Sequence, residues 1–263
     1  MRTLRRNMPQ QIVNSMLTHS FYLKPGRDTS APKTSVNEYR DSLRRRNHSF
    51  DRKSVYVVGA GGNLALGVFL LEAGAARVTL QDPFAPNRDV LAMRQLSEQL
   101  LEKYFVRHGN KLEPANDNLR IFHGSVAESA QDSPLSEDVI CSSSVLEHVR
   151  NLEQLVSSMR ALIRPSGRMV HFVDLQDHYF KYPFEMLSYS SAVWNKWLDA
   201  GNHLNRLRLH DYQRIFNKHF PETKISTISA LPEEFSKAKA RIRPEFLTGD
   251  DSLDATAIIK IES

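Results

Sequence analysis

Apolar residues fall in two rhythms along this chain. A short apolar run, SVYVV at 54–58, is too short for a helix and stops abruptly at glycine, which marks a buried strand, and RVTL at 77–80, LRIFH at 119–123 and EDVICS at 137–142 read as further strands. Between them apolar residues return every three or four positions. Leu64, Val68, Leu71 and Ala75 form one such stripe, with Asn63 placed to cap its start and Gly74 its end. A longer stripe through Val90, Met93, Leu96, Leu100 and Tyr104 predicts a single helix over 87–107. Residues 124–136 are too few and too polar for a full crossover helix. A helix over 152–163, a Pro165-Ser166-Gly167 turn and a strand over 168–174 follow. The chain closes with a helix at 211–218, a strand at 224–230, a charged stretch over 232–251 and a last strand at 255–262. Strands and helices in this alternation predict an α/β fold on a mostly parallel sheet.

The chemistry concentrates where the first strand ends. GAGG at 59–62 lets the backbone adopt positive φ and pass close to a ligand, and the helix that follows offers unpaired N–H groups. Asp82, at the tip of the second strand, is placed to accept hydrogen bonds from a ribose diol. These residues predict a nucleoside-cofactor site. A dinucleotide fingerprint would carry a third glycine where Leu64 stands, which argues against a nicotinamide oxidoreductase.

GAGGNLALG followed by VTLQDP resembles the cofactor loop of class I S-adenosylmethionine-dependent methyltransferases. SSSVLEHV at 142–149, the helix behind it and the Pro-Ser-Gly turn resemble the same family's later motifs in the same order. The resemblance implies a Rossmann-like fold, with a seven-stranded mostly parallel sheet, helices on both faces and the final two strands as an antiparallel hairpin. It implies S-adenosylmethionine as cofactor and S-adenosylhomocysteine as product. Gly59, Ala60, Gly61, Asn63, Leu64, Asp82, Pro83, Ser142 and Ser143 would hold the cofactor. The family usually has an acid two positions before the first glycine, and this chain has Val57. Ser166 replaces a glycine in the later turn.

The domain is expected over 51–263, with a substrate-recognition insertion at 175–210 that is dense in Asp, His, Asn, Arg and aromatics. It resembles methyltransferases of polysaccharide and natural-product biosynthesis, which carry an Asp-His pair here. His178 suits a general base because its unperturbed pKa lies near neutrality, and Asp177 or Asp174 could orient it. His148 is a catalytic candidate whose alternative is a structural hydrogen bond to the backbone, and Glu147 a supporting or capping group. Asp174, Asp177 and His178 could instead hold a divalent metal, where oxygen ligands would favour magnesium or manganese; no metal ligand is assigned. Tyr179, Asn205, Arg206 and Arg208 are the expected acceptor-binding residues, the arginines because guanidinium groups match phosphate or carboxylate. Trp194 and Trp197 fit one helix face and are expected in the core. Methyl transfer to an oxygen of a small molecule or sugar is the expected reaction; a nitrogen acceptor, a catalytically silent partner subunit and an RNA methyltransferase are the alternatives.

Composition narrows this further. Arg2, Arg5, Arg6, Arg27, Arg40 and Arg44-Arg45-Arg46 concentrate positive charge in residues 1–50. No recognition module or interleaved aromatics accompany them, so a nucleic-acid partner is not expected. The segment reads as a surface extension with helices at 10–18 and 35–46, joined by a loop at 25–32. No run reaches the roughly 18 apolar residues of a membrane span. Cys141, the one cysteine, excludes an internal disulfide and fits a reducing, cytoplasmic setting. A homo-oligomer is left open.

Overall fold

The computed structural model describes residues 27–84, 87–178, 182–199 and 203–263. Strand β1 (Ser54–Val58) is buried at every position, and β2 (Arg77–Gln81) pairs with it in parallel, Val55 opposite Val78 and Val57 opposite Leu80. Burial on both faces explains why β1 runs Val55-Tyr56-Val57-Val58 without alternation. Five further strands complete the sheet: β5 (Leu119–Phe122), β6 (Glu137–Ser143), β7 (Ile163–Asp174), β8 (Lys224–Ala230) and β9 (Thr256–Glu262). Their order is β5-β2-β1-β6-β7-β9-β8. The pairs β1–β2, β1–β6 and β2–β5 are parallel, while β8 and β9 are antiparallel. The seven-stranded, mostly parallel sheet is the expected one.

Of the described residues, those up to Ser143 together with Ser157–His171 form one compact unit. In this first unit, helix α1 (Pro32–Arg44) buries Val36, Tyr39 and Leu43, and the Tyr39 hydroxyl donates to the Asp28 carboxylate at 2.8 Å. This part of the basic extension is therefore built into a core. The helix expected at 10–18 lies outside the described residues. Helix α2 (Leu64–Glu72) starts as the sequence predicts, with Asn63 Oδ1 accepting from the Ala65 N–H at 3.0 Å.

Three expectations in this unit are corrected. The helix over 87–107 is two helices, α3 (Asp89–Gln95) and α4 (Glu98–Tyr104), because Ser97 caps a new start and accepts from the Leu100 N–H. The last residues of that stretch are instead β3 (Phe105–His108), which turns through Gly109 and pairs antiparallel with β4 (Lys111–Pro114). Residues 124–136 do form a helix, α5 (Val126–Asp132), set by a capping box in which Ser125 and Glu128 satisfy each other's backbone N–H.

The second unit holds Ser144–Val156 and Phe172–Ser263. Its core gathers Phe184, Leu187, Trp194, Leu204, Phe235 and Ile242. Trp194 is buried, but Trp197 is exposed, since residues 194–198 wind as one wide π turn that separates the two rings. The expected helix at 211–218 spans Leu209–His219 (α7, after α6, Leu152–Leu162), and the charged stretch contains a further helix, α8 (Pro232–Ala238).

Candidate functional site

The glycine turn is made from backbone groups. Gly59, Gly61 and Gly62 have φ of 69°, 62° and 74°, a region closed to most side chains, and the Gly59 and Ala60 N–H groups both donate to the Gln81 carbonyl. Asp82 accepts from the Gly61 N–H at 2.8 Å through Oδ2 and from the Phe84 N–H at 2.9 Å through Oδ1. From the other side Arg88 Nε donates to the Gly61 carbonyl at 2.7 Å, so the Gly61 peptide is held at both ends. Arg88 is buried, its Nη1 has no partner among the described residues, and burial lowers its pKa while Asp82 opposes this. A lone arginine in PNRDV carried no signal of this in the sequence.

These residues fit a nucleoside cofactor. Asp82 is half-buried beside an exposed Pro83, at the tip of β2 next to the glycine turn that its carboxylate anchors. Ala60 and Leu64 are buried, and Asn63 completes its cap by donating to Gln95 Oε1 at 2.7 Å. Val57 is fully buried in β1, so that position supplies no carboxylate. Ser142 is buried with its hydroxyl 2.8 Å from His171 Nδ1, and Ser143 is also buried. Burial lowers the His171 pKa to about 3. A cleft lined by Arg77, Leu119 and Glu137 opens at the starting ends of these strands, the end away from Gly59 and Asp82.

In the second unit a cluster forms around the turn Leu146–His148. Asn205 clamps this turn: its backbone N–H donates to the Glu147 carbonyl at 2.8 Å, and its Nδ2 donates to the carbonyls of Leu146 and Val149 at 2.8 and 3.2 Å. His148 Nδ1 lies 2.6 Å from the His203 carbonyl, so His148 does make a backbone hydrogen bond. The His148 and His178 rings meet edge to face, 5.1 Å between centroids. His178 Nε2 is 3.5 Å from Asp174 Oδ2. Glu147 is 3 % exposed; one oxygen accepts weakly from the Asp174 N–H at 3.4 Å, and the other, Oε2, has no partner among the described residues.

Burial pushes the Glu147 pKa up to about 8, with His178 opposing. Burial would lower the pKa of His178, but Asp174 and then Glu147 carry it above its ordinary value. Burial, the largest single effect, works against ionisation of Asp174, but the hydrogen bond and charge of His178 together with the hydrogen bonds from Gln176 outweigh it, leaving a net lowering. Of the two candidate partners of His178, Asp174 and Asp177, the one that lies 3.5 Å from its Nε2 is Asp174. Asp177 is buried and its N–H donates to the Pro183 carbonyl at 2.8 Å. Among the described residues, the histidine and carboxylate ligand atoms that converge are those of Glu147, His148 and His178, not of Asp174, Asp177 and His178.

Tyr179 lies outside the described residues. Arg206 and Arg208 are buried, each with its pKa lowered to about 10 by burial. Arg206 donates to the carbonyls of Met186 and Tyr189 and stacks on Trp194 and Phe246. The Arg208 guanidinium donates to the carbonyls of Leu175, Asp254 and Thr256, while its backbone N–H donates to Asp211 Oδ2 at 3.1 Å. Both guanidinium groups are engaged with the protein's own main chain.

The family model described as a methyltransferase domain matches residues 38–219. Among curated proteins no sequence matches. A protein of Listeria monocytogenes assigned as an S-adenosylmethionine-dependent methyltransferase superposes with a TM-score of 0.51 at 14 % identity, over 89 % of this chain and 97 % of its own. The 1,6-didemethyltoxoflavin-N1-methyltransferase of Burkholderia thailandensis, solved with 1,6-didemethyltoxoflavin and S-adenosylhomocysteine, superposes with a TM-score of 0.50 at 14 % identity, over 99 % of this chain and 86 % of its own. At such identity the two structures speak for the fold.

Proposed function

Because this chain belongs to the methyltransferase-domain family, a class I enzyme with S-adenosylmethionine as cofactor, we propose that it methylates an oxygen of a small-molecule or sugar acceptor, with His178 as the general base. The observation that carries this reading is the Asp174–His178 pair, 3.5 Å apart and backed by the buried carboxyl of Glu147. A hydroxyl acceptor must lose a proton as its oxygen attacks, and an imidazole oriented by a carboxylate is the side chain suited to take it. The cofactor, when bound, supplies a methyl group on a sulfonium. With it in place, the acceptor oxygen would take the methyl group, S-adenosylhomocysteine would leave with the electrons of the broken C–S bond, and His178 would take the hydroxyl proton.

Gly59, Gly61 and Asp82 hold the cofactor in this reading, with Ala60, Asn63, Leu64, Pro83, Ser142 and Ser143 around them. Asn205 acts as a positioning residue by fixing the turn that carries Glu147 and His148. The test begins with calorimetric titration of the full chain with S-adenosylhomocysteine beside NADH. Sugars, phenols and phosphorylated metabolites are then screened as acceptors by S-adenosylhomocysteine release. His178→Ala is expected to lower kcat by roughly 10²–10⁴-fold with S-adenosylhomocysteine affinity unchanged. Full turnover in that variant would remove His178 from the reaction.

A further inference from the structure

Glu147, His148 and His178 stand on two segments that the fold brings together, and each places a ligand atom within 4.8 Å of the other two. We propose that these three residues bind a divalent transition metal of the zinc class. The donor set, two imidazoles and one carboxylate, is the one that holds zinc where a fourth position stays open. Its nitrogen content distinguishes it from the oxygen-rich sets that suit magnesium or calcium.

Three further observations point to a ligand. Glu147 is 3 % exposed, yet its Oε2 has no hydrogen-bond partner among the described residues, and a buried carboxyl oxygen in that state is unusual. Each histidine also has the outer support that metal-binding imidazoles carry. His148 Nδ1 is 2.6 Å from the His203 carbonyl; donation there keeps the proton on Nδ1 and the lone pair on Nε2. The Asp174 carboxylate lies 3.5 Å from His178 Nε2 and orients that ring. Lastly, the turn bearing two of the ligands is fixed by the three Asn205 hydrogen bonds, so two of the three donors are preorganised. At zinc–ligand lengths of about 2.1 Å, tetrahedral ligand atoms sit about 3.4 Å apart. Closing from the present spacing takes side-chain adjustments of about an ångström, with His178, the most exposed of the three, able to make most of it.

The site shares His178 with the proposed reaction, and a bound metal withdraws that imidazole's lone pair, so metal and acceptor proton compete for it. The test therefore uses no methyl acceptor, and either reading can fail while the other stands. The chelator-treated full chain is titrated with Co²⁺, read by its visible absorption bands, and with Zn²⁺ by calorimetry. The expected result is saturable binding of one ion per chain. Glu147→Gln, which keeps the buried shape, and His178→Gln, on the exposed side, should each weaken it by about tenfold or more. His108→Ala, at an exposed histidine of β3, should bind like the parent protein. Circular dichroism establishes that each variant is folded. Absence of saturable binding, or parent-like binding by folded Glu147→Gln and His178→Gln, would overturn the proposal.

Discussion

The glycine turn and the Glu147–His178 cluster are built on opposite plans. At 59–62 the working groups belong to the backbone, held by neighbours close in sequence or one strand away: the Gln81 carbonyl, the Asp82 carboxylate and the Asn63 cap. At 147–178 the working groups are side chains, positioned by residues about 55–59 places further along the chain, Asn205 and His203. A backbone site needs a local conformation, and a short motif can specify that. A side-chain site needs distant segments to agree, and it rests on whatever fixes those segments. In the second unit that is Arg208 above all, which joins residues 175, 254 and 256 through their carbonyls.

The sharpest way to break the comparison is to remove that join. Arg208→Met keeps an unbranched apolar stem but withdraws three donors from buried carbonyls. A loss of about 3–5 kcal/mol in unfolding free energy is expected, the range for disrupting a buried charged group and its partners. Urea denaturation at neutral pH measures it. A loss below about 1 kcal/mol would mean that the segments around the cluster hold together without the arginine.

On the backbone side the corresponding change is Asp82→Ala. It removes the acceptor of the Gly61 and Phe84 N–H groups together with the carboxylate assigned to the ribose diol. S-Adenosylhomocysteine affinity should fall about ten- to a hundredfold, or about 1.4–2.7 kcal/mol, the scale of hydrogen bonds to a charged group. Calorimetry reads this directly, and unchanged affinity would take Asp82 out of the site.

The same contrast explains what could be read from the chain alone. Strands β1 and β2 and the start of α2 were legible because each is fixed by a local pattern: a short buried run, or Asn63 ahead of an apolar stripe. The break in the 87–107 helix was missed although Ser97 signals a cap, because Leu96 and Leu100 keep the helical spacing across it. The β3–β4 hairpin carried its own signal, Gly109-Asn110 between short alternating runs, and the long helical stripe masked it. At the site, His178 with Asp174 was legible from four-residue proximity. The convergence of Glu147 and His148 on His178 was not, because nothing in LEH reports what lies thirty residues away. Arg206 and Arg208 read as anion binders for a related reason: a sequence shows the charge of an arginine but not the carbonyls that surround it.

Two histidines carry the comparison into pH dependence, with opposite signs. His178, in the side-chain cluster, has its pKa raised; the stability it contributes is complete below about pH 6.5 and is lost as pH rises through the raised value. His171, buried against Ser142 in the first unit, has its pKa lowered to about 3. Between its ordinary value and 3 the unfolded chain binds a proton at this residue and the folded chain does not, so acidification through that window costs stability. The slope from this one residue is at most about 1.4 kcal/mol per pH unit. His171→Gln cannot titrate, and the other groups titrate equally in both proteins. The difference in unfolding free energy between parent and variant, measured in urea at pH 6.5 and pH 5.0, should therefore shrink by about 1.6 kcal/mol on acidification. Parallel pH profiles would mean that His171 takes up its proton inside the folded unit, and the first unit would then be less rigidly closed around Ser142 than the buried pair implies.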